Sequence, residues 1–350
     1  MCGNRDVTAV YKRIFPNKKT LTLHVNPSGH GSDKGFQVKV EYKYCIEHTR
    51  IGKVCFPPSW KYETTTDADP WSKSYWYWQD PDGDLLFYAR IKLTALSSAD
   101  RFDEWGGDES GTGRSIEFDL KSDKDVTAYF LWKVDVSVDP TDGGTVSLTG
   151  YKKQVGSSYY YRNGAYGTAT ANPSSGYRFD HWVIDGSSTS TDETLTGRVY
   201  KDHNITAVFW EVHDFKLEVR DKNNPSSSLS CTVTLDFKPP DGAENAPDPD
   251  TTSYSDGWSE TLYKGTEITA TPDSCSGYRF DHFDLSGTSW SGSNSFKIND
   301  DDVTLTAYYV ETHTLTTYVN DTAGNSLSGV TPIHLNPADN NGNSDGGDKD

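Results

Sequence analysis

The segment Gly176-Tyr177-Arg178-Phe179-Asp180-His181-Trp182, GYRFDHW, decides the fold because versions of it stand at two other places in the chain. GYRFDHF occupies residues 277–283, and RFDEW occupies residues 101–105. Self-similarity of this kind indicates a repeat architecture, in which each copy is one structural unit. The sequence therefore predicts three copies of one domain in a row.

A second motif follows each copy at a nearly constant distance. TAYF at 127–130, TAVF at 206–209 and TAYY at 306–309 begin 26, 28 and 27 residues after the arginine of the first motif. Alternating segments such as KVDVSVDP at 133–140 and DFKLEVRD at 214–221 come next. Period-two alternation predicts strands with one buried face. We predict an all-β protein, a tandem array of small β-grasp-like or β-sandwich-like domains with about six short strands each.

The spacing of these motifs sets the expected domain boundaries. NRDVTAVY at 4–11 resembles a closing motif, so residues 1–12 are interpreted as the end of a truncated preceding repeat. Repeat 1 then occupies residues 18–132, with an aromatic-rich insertion at about 45–87, and repeat 2 occupies residues 133–211. Repeat 3 occupies residues 213–310, with an insertion at about 237–263. Residues 311–350 are interpreted as the start of an incomplete fourth repeat with an Asp/Asn/Gly-rich end. Both ends are then cut inside repeats of a longer tandem protein.

Residues 263–309 and 164–209 resemble the divergent internalin B-type (Listeria-Bacteroides-like) repeat of bacterial and archaeal cell-surface proteins. The family pattern is a Val/Thr-rich strand ending in Ala-x-Pro, then Gly-Tyr-x-Phe-x-x-Trp, then Thr-Ala-x-Phe. Residues 88–130 match with Ala99-Asp100 in place of Gly-Tyr. The resemblance implies a small β-rich domain of a multi-domain secreted protein, and it implies no catalytic activity.

The signature residues can also be interpreted from strand geometry. Alternation places Tyr177 and Phe179 on one face and Arg178 and Asp180 on the other, where an ion pair can form in solvent. Trp182 stands three residues after Phe179, so a bulge is needed if both rings enter one core. We expect the aromatic residues to be core and the Arg/Asp pair to be surface. The structural signature set is Arg101, Phe102, Trp105, Tyr177, Arg178, Phe179, Trp182, Tyr278, Arg279, Phe280 and Phe283.

The insertion of repeat 1 holds an unusual run of aromatic residues. They are Trp60, Trp71, Tyr75, Trp76, Tyr77 and Trp78. Flat exposed rings beside carboxylates suit stacking on sugar rings, which makes these residues candidates for carbohydrate binding. The alternative is that the insertion packs onto its own domain as a small core.

Acid-rich loops and cysteines offer further chemistry. Asp80, Asp82 and Asp84 present oxygen atoms at alternating spacing, as calcium requires, but solvated turns are the preferred interpretation. Five cysteines allow two disulfides, Cys45–Cys55 and Cys231–Cys275, and free buried thiols are the alternative. Asn204 and Asn320 begin N-glycosylation sequons.

Charge and motifs restrict the class of function. A net charge of −18 disfavours nucleic acid and anionic membranes as partners. No apolar run is long enough to insert into a bilayer, and no catalytic motif is present. The sequence favours a non-catalytic extracellular module acting as stalk, spacer or adhesive array, whose partners are neighbouring repeats, surface glycans or other subunits. Carbohydrate binding, an accessory role in a secreted hydrolase, and polymerisation by strand exchange are the alternatives.

Overall fold

A computed structural model of the protein describes residues 17–28, 36–66, 69–98, 100–246, 251–299, 301–314 and 322–324. Within these ranges the chain forms 25 strands and no helix, which confirms the all-β prediction. No helix in the described part of the chain is long and apolar enough to cross a membrane. The predicted closing strand at residues 1–12 and nearly all of the predicted fourth repeat lie outside the described residues.

Repeat 1 is a sandwich of two four-stranded sheets. One sheet has the order β4-β1-β8-β6, and the other has the order β3-β2-β5-β7. The buried side chains of both sheets belong to one apolar cluster. The strands are β1 Asn17–Asn26, β2 Val38–His48, β3 Gly52–Thr66, β4 Trp71–Gln79, β5 Leu85–Ala95, β6 Phe102–Gly107, β7 Ser115–Leu120 and β8 Lys124–Asp139.

Repeat 2 has the same arrangement with a smaller second sheet. The second half of β8 pairs with β11 and, in parallel, with β16, which continues to β13 and β14. The opposite sheet has three strands in the order β15-β12-β9. The strands are β9 Gly144–Thr149, β10 Lys153–Val155, β11 Ser158–Arg162, β12 Ala165–Pro173, β13 Tyr177–Ile184, β14 Ser187–Ser190, β15 Thr194–Val199 and β16 His203–Asp221.

Repeat 3 repeats the plan once more. The second half of β16 pairs with β20 and β17 and, in parallel, with β25, which pairs with β22. The opposite sheet has the order β19-β18-β21-β24. The strands are β17 Asn224–Ser228, β18 Thr232–Lys238, β19 Thr251–Ser255, β20 Ser259–Tyr263, β21 Glu267–Pro272, β22 Tyr278–Leu285, β23 Thr288–Trp290, β24 Asn294–Lys297 and β25 Val303–Glu311.

Two long strands pass from one repeat into the next without a linker. β8 has 16 residues and β16 has 19, and each closes one repeat with its first half and opens the next with its second half. The predicted boundaries at residues 132/133 and 211/213 therefore fall inside strands. Burial alternates along β16: Ile205, Ala207 and Phe209 lie inside one repeat, and Phe215 lies inside the next. Because successive side chains of a strand point to opposite faces, this alternation keeps both halves of β16 extended.

The insertions form strands rather than loops. In repeat 2 the corresponding connection is the shorter segment at residues 150–164, which contains β11. β4, β11 and β20 each lie beside the opening strand of their own repeat, and β3 and β19 extend the second sheet. The repeats consequently contain eight to ten described strands instead of the predicted six. Tight turns separate the signature strands from their hairpin partners. Asp185-Gly186 and Ser286-Gly287 both have positive φ, from 50° to 86°, as a two-residue hairpin of this type requires.

Candidate functional site: the signature strands and the junctions between repeats

The signature strand builds the same aromatic cluster in all three repeats. The two signature rings lie 5.2, 5.3 and 4.7 Å apart, and the first ring meets the closing-strand ring at 5.7, 5.7 and 5.5 Å in edge geometry. The clusters are Phe102/Trp105/Phe130, Phe179/Trp182/Phe209 and Phe280/Phe283/Tyr309. A register shift inside each signature strand turns both rings inward, and this is the bulge that the spacing of three requires.

The same bulge overturns the expected alternation of the next two residues. Adjacent strand residues were expected on opposite faces, but the side chains of Asp180 and His181 lie together, with Oδ2 and Nδ1 2.6 Å apart. Asp281 and His282 repeat this contact at 2.7 Å. The shift between Phe179 and His181 places consecutive side chains on one side of the strand.

A periodic aspartate links the first and last strands of every repeat. Asp123, Asp202 and Asp302 stand just before the closing strand, and each accepts a hydrogen bond from a backbone N–H of the opening strand. The donors are Thr20, Lys133 and Asp214, at 2.8, 2.9 and 2.9 Å. Sequence reasoning missed these residues, although their constant position four residues before the threonine of each Thr-Ala motif is a readable signal.

The junction between repeats 1 and 2 is made of ion pairs. Arg101 donates two hydrogen bonds to Asp202 at 2.9 and 2.7 Å, and this contact raises the pKa of the guanidinium. Arg162 of the insertion strand β11 donates to Asp103 at 2.7 Å and to Glu104 at 2.6 Å. Such bidentate pairs fix geometry as well as charge.

The junction between repeats 2 and 3 uses backbone donors. Asp180 is fully buried and accepts the N–H groups of Glu244 and Asn245, both at 2.9 Å. Both donors belong to the insertion of repeat 3. Lys264 also donates through its backbone N–H and through Nζ to Glu211, both at 2.9 Å. At both junctions the insertion of one repeat therefore binds the signature aspartate of the repeat before it.

The surface Arg/Asp pair expected within each signature is not formed in repeats 1 and 2. Arg101 and Asp103 both pair across the junction, and Asp180 is buried while Arg178 is exposed. In repeat 3, Arg279 is exposed and Asp281 binds Lys222 at 2.8 Å. Tyr177 and Tyr278 are half-buried beside their cores.

The six aromatic residues of the insertion do not form one surface. Trp71 and Tyr75 pack against the core, and burial raises the pKa of the Tyr75 phenol. Trp76 is 45% exposed on the opposite face of β4, with Lys18 Nζ 4.6 Å from its ring centre. Trp60 lies on β3, with Lys43 Nζ 4.4 Å from its ring centre.

Tyr77 and Trp78 complete this group at the end of β4. Both are half-buried; Lys19 Nζ lies 5.1 Å from the Tyr77 ring centre, and Trp78 pairs with Phe87 of β5. The insertion thus divides its rings between the core and a cation-covered outer face.

The predicted disulfides and one of the two predicted N-glycosylation sites lie within the described residues. Disulfides join Cys45 to Cys55, directly across the β2–β3 hairpin, and Cys231 to Cys275. Asn204 is exposed on β16, and Asn320 lies outside the described residues.

Two carboxylates of the acidic turn after β4 accept hydrogen bonds from the protein itself, one within the turn and one from the turn between β2 and β3. Asp80 accepts the Leu85 N–H at 3.0 Å and Asp84 accepts the Thr49 hydroxyl at 2.8 Å, while Asp82 is exposed. The described residues contain no group of three His, Cys, Asp or Glu side chains placed to hold a metal.

Comparison with known proteins supports the repeat assignment. Residues 134–213 and 250–313 match the model of the divergent InlB B-repeat domain, which confirms the resemblance for repeats 2 and 3. No curated protein sequence matches the chain. Similar solved structures include the pilus adhesin SpaC from Lactobacillus rhamnosus GG, a streptococcal ancillary pilin and the Bacillus anthracis TIE protein.

These structures are distant. SpaC is 11% identical with a TM-score of 0.38, covering 86% of this chain and 44% of that adhesin. The ancillary pilin is 13% identical with a TM-score of 0.26, and the match covers 85% of this chain and 99% of the pilin. The TIE protein is 9% identical with a TM-score of 0.27, and the match covers 87% of this chain and 59% of the TIE protein. This chain thus spans less than half the length of SpaC.

Proposed function

We propose that the chain is a load-bearing stalk or spacer, a non-catalytic extracellular module of a larger surface or secreted protein. One observation carries the proposal: in each of the three described repeats the first and last strands are parallel neighbours, and β8 and β16 each close one repeat and open the next. The pairs are β1 with β8, β8 with β16, and β16 with β25, over six, six and seven residue pairs.

This connectivity decides how tension acts on the chain. A pull along the array draws the first strand of a repeat toward its N-terminal end and the last strand toward its C-terminal end. Because the two strands are parallel, they can separate only by sliding past each other, so their hydrogen bonds must break together. A hairpin pulled at its open end loses its bonds one pair at a time. The repeat is therefore built to resist extension.

Two further observations support an extracellular setting. The chain carries two disulfides, which persist in oxidising compartments outside the cytosol. The chain also matches the divergent InlB B-repeat domain, a repeat whose sequence motifs resemble those of cell-surface proteins.

Single-molecule force spectroscopy tests the proposal. Handles at residues 17 and 311 load all three repeats in shear, whereas handles at residues 278 and 290 pull the β22–β23 hairpin open. We expect clearly higher unfolding forces in the first geometry. Equal forces in both geometries would contradict a load-bearing role.

A matched pair of variants sharpens this test. Asp302→Ala removes the hydrogen bond to the Asp214 N–H at the start of the β16–β25 ladder and should lower the unfolding force of repeat 3 alone. Asp301→Ala removes an adjacent exposed carboxylate and should leave that force unchanged.

A second candidate function, glycan binding at β4, is favoured by the exposure of Trp76. Polysaccharide pull-down and glycan arrays test it, with Trp76→Ala expected to abolish the signal. Tyr166→Ala is the matched control because Tyr166 is an exposed ring, 58%, that also lies beneath a cation, Arg198. Absence of any glycan signal from the unaltered chain would exclude this function.

A further inference from the structure

Trp76 occupies a position that recurs in the other two repeats. In each repeat a strand lies antiparallel to the opening strand, and the hydrogen bond to the periodic aspartate fixes the register of that opening strand. The residue of interest pairs two places before the N–H donor of this bond. The three equivalent pairs are Trp76 with Lys18, Arg162 with Leu131, and Tyr263 with Val212.

In repeats 2 and 3 this position contacts the signature aspartate of the repeat before. Arg162 donates to Asp103 of repeat 1 at 2.7 Å. Tyr263 is 1% exposed and stacks on Trp210 of repeat 2, with ring centres 6.0 Å apart. Burial and, after it, the charge of Asp180 of repeat 2 raise the pKa of the Tyr263 phenol. Both described junctions therefore use this position in the same way.

Trp76 carries the same kind of side chain as Tyr263 but is 45% exposed. No preceding repeat is among the described residues. Lys18 Nζ lies 4.6 Å from the centre of the Trp76 ring, and Lys19 Nζ lies 5.1 Å from that of Tyr77. Repeat 1 thus presents a large ring and two ammonium groups where its counterparts contact a carboxylate. We call this surface, formed by Lys18, Lys19, Trp76 and Tyr77, the Trp76 face.

Repeat 3 presents the other half of such a junction. The side chain of Asp281 is 17% exposed, compared with 8% for Asp103 and 0% for Asp180. Its described partners are Lys222 and His282, both of repeat 3. The ring of His282 stacks on Tyr308 at 4.8 Å. We call the surface formed by Asp281, His282 and Tyr308 the Asp281 face.

A cation already present at Asp281 does not exclude a second one. Asp103, the equivalent residue of repeat 1, lies 2.7 Å from Arg162 and 3.8 Å from Lys152, so it accepts two cations. Asp281 has Lys222 at 2.8 Å and can accept a further ammonium group in the same way. The two ends of the described array are therefore complementary in charge as well as in position.

We propose that the Trp76 face of one copy docks on the Asp281 face of a second copy. In this contact Trp76 lies against β22 as Tyr263 lies against β13, and Lys18 approaches Asp281. The contact joins two different patches and does not close on itself, so it generates linear chains of copies. The inference gives the stalk a partner, but it does not rest on resistance to force.

Sedimentation equilibrium of the full chain, without any glycan, tests the proposal. We expect the weight-average mass to rise steadily with protein concentration, and to rise less at high salt because exposed charges are screened. Monomers at every concentration would leave the Trp76 face to another ligand or to another part of the same chain, and would overturn the proposal. Force measurements on single chains do not depend on this result, so failure here is distinguishable from failure of the stalk.

Variants of the Trp76 face test the ring directly. Trp76→Ala should weaken association by about tenfold or more, as loss of a central interface tryptophan does. Trp76→Arg supplies the residue that repeat 2 has at this position and should restore most of the association. Tyr166→Ala removes another exposed ring beneath a cation and should change nothing. Unchanged association in Trp76→Ala, or equal loss in Tyr166→Ala, would overturn the proposal.

Variants of the Asp281 face test the partner. Asp281→Lys places an ammonium group opposite Lys18 and should weaken association about as much as Trp76→Ala; Asp281→Asn is the milder change if lysine disturbs folding. Asp301→Lys makes the same charge change at an exposed residue before β25, whereas Asp281 lies beside the end of that strand. It should leave association unchanged. Association that survives Asp281→Lys would contradict the proposed partner.

A mixing experiment tests the head-to-tail arrangement. Trp76→Ala keeps an intact Asp281 face, and Asp281→Lys keeps an intact Trp76 face. An equimolar mixture should therefore form one-to-one dimers, although neither variant associates alone. A mixture that stays monomeric would overturn the arrangement.

Discussion

Asp180 shows how one side chain can hold two repeats together. Its carboxylate is fully buried and accepts two backbone N–H groups from the insertion of repeat 3. Asp180→Asn replaces one acceptor oxygen by a donor that faces an N–H group. We expect a loss of about 2 kcal/mol in the free energy of unfolding, because a buried polar group then lacks its partner.

Chemical denaturation measures this loss, and Asp281→Asn is the matched control. Asp281 is the equivalent residue of repeat 3, and its described partners are the side chains of His282 and the half-exposed Lys222. Because Lys222 is half exposed, solvent screens this ion pair, so the change should cost below about 1 kcal/mol. A larger loss in Asp281→Asn than in Asp180→Asn would refute the junction role.

Asp185 gives a prediction for the pH dependence of stability. Hydrogen bonds from the Asn204 N–H, and from Lys201 and His203, lower the pKa of its carboxyl to about 2. A folded-state pKa below the ordinary value means that the contribution is complete above about pH 5 and disappears as the pH falls toward 2. Since the carboxylate is about a third exposed, we expect the contribution to stay below about 1 kcal/mol.

The difference between the unaltered chain and Asp185→Asn, measured by denaturation from pH 5 to pH 2, isolates this group. Asparagine tolerates the left-handed backbone that residue 185 adopts, so the turn is kept. The stability difference should shrink as the pH falls. A difference that stays constant across this range would disprove the assignment.

Among the elements, the signature strands could be predicted and the insertion strands could not. Three copies of Phe-x-x-aromatic demand a bulge, and the structure has one in each. The insertion of repeat 1 carries core and surface rings on one strand: Tyr75 is buried, whereas its neighbour Trp76 is exposed. Because aromatic residues occupy both faces, the sequence pattern does not show which face is core and which could bind a ligand.

The two disulfides differ in the length of chain that they close. Cys231 and Cys275 are 44 residues apart, whereas Cys45 and Cys55 are 10 residues apart within one hairpin. Loop-closure entropy predicts a contribution of about 4 kcal/mol for the longer loop and about 3 kcal/mol for the shorter one. Urea denaturation of the two double Cys→Ala variants should therefore show the larger loss for residues 231 and 275. The reverse order would contradict the entropic account.

At the scale of the whole molecule, the apolar core is divided unequally. Repeats 1 and 2 share one continuous cluster of buried side chains, and repeat 3 has a cluster of its own. Trp132 belongs to the shared cluster; it packs against Phe36 of repeat 1 at 5.1 Å and donates through Nε1 to Asn163 of repeat 2 at 2.9 Å. In arrays, stability is the sum of the units and of their interfaces, so a shared core should couple two repeats into one unfolding unit.

Differential scanning calorimetry should therefore show two transitions, the larger for repeats 1 and 2 together. Trp132→Ala removes a fully buried ring, which costs about 3–5 kcal/mol, and should lower the temperature of the larger transition. Phe283→Ala, the equally buried counterpart in the core of repeat 3, should lower the other. A single transition that both variants shift would instead mean that the continuous strand β16 couples all three repeats as strongly as a shared core does.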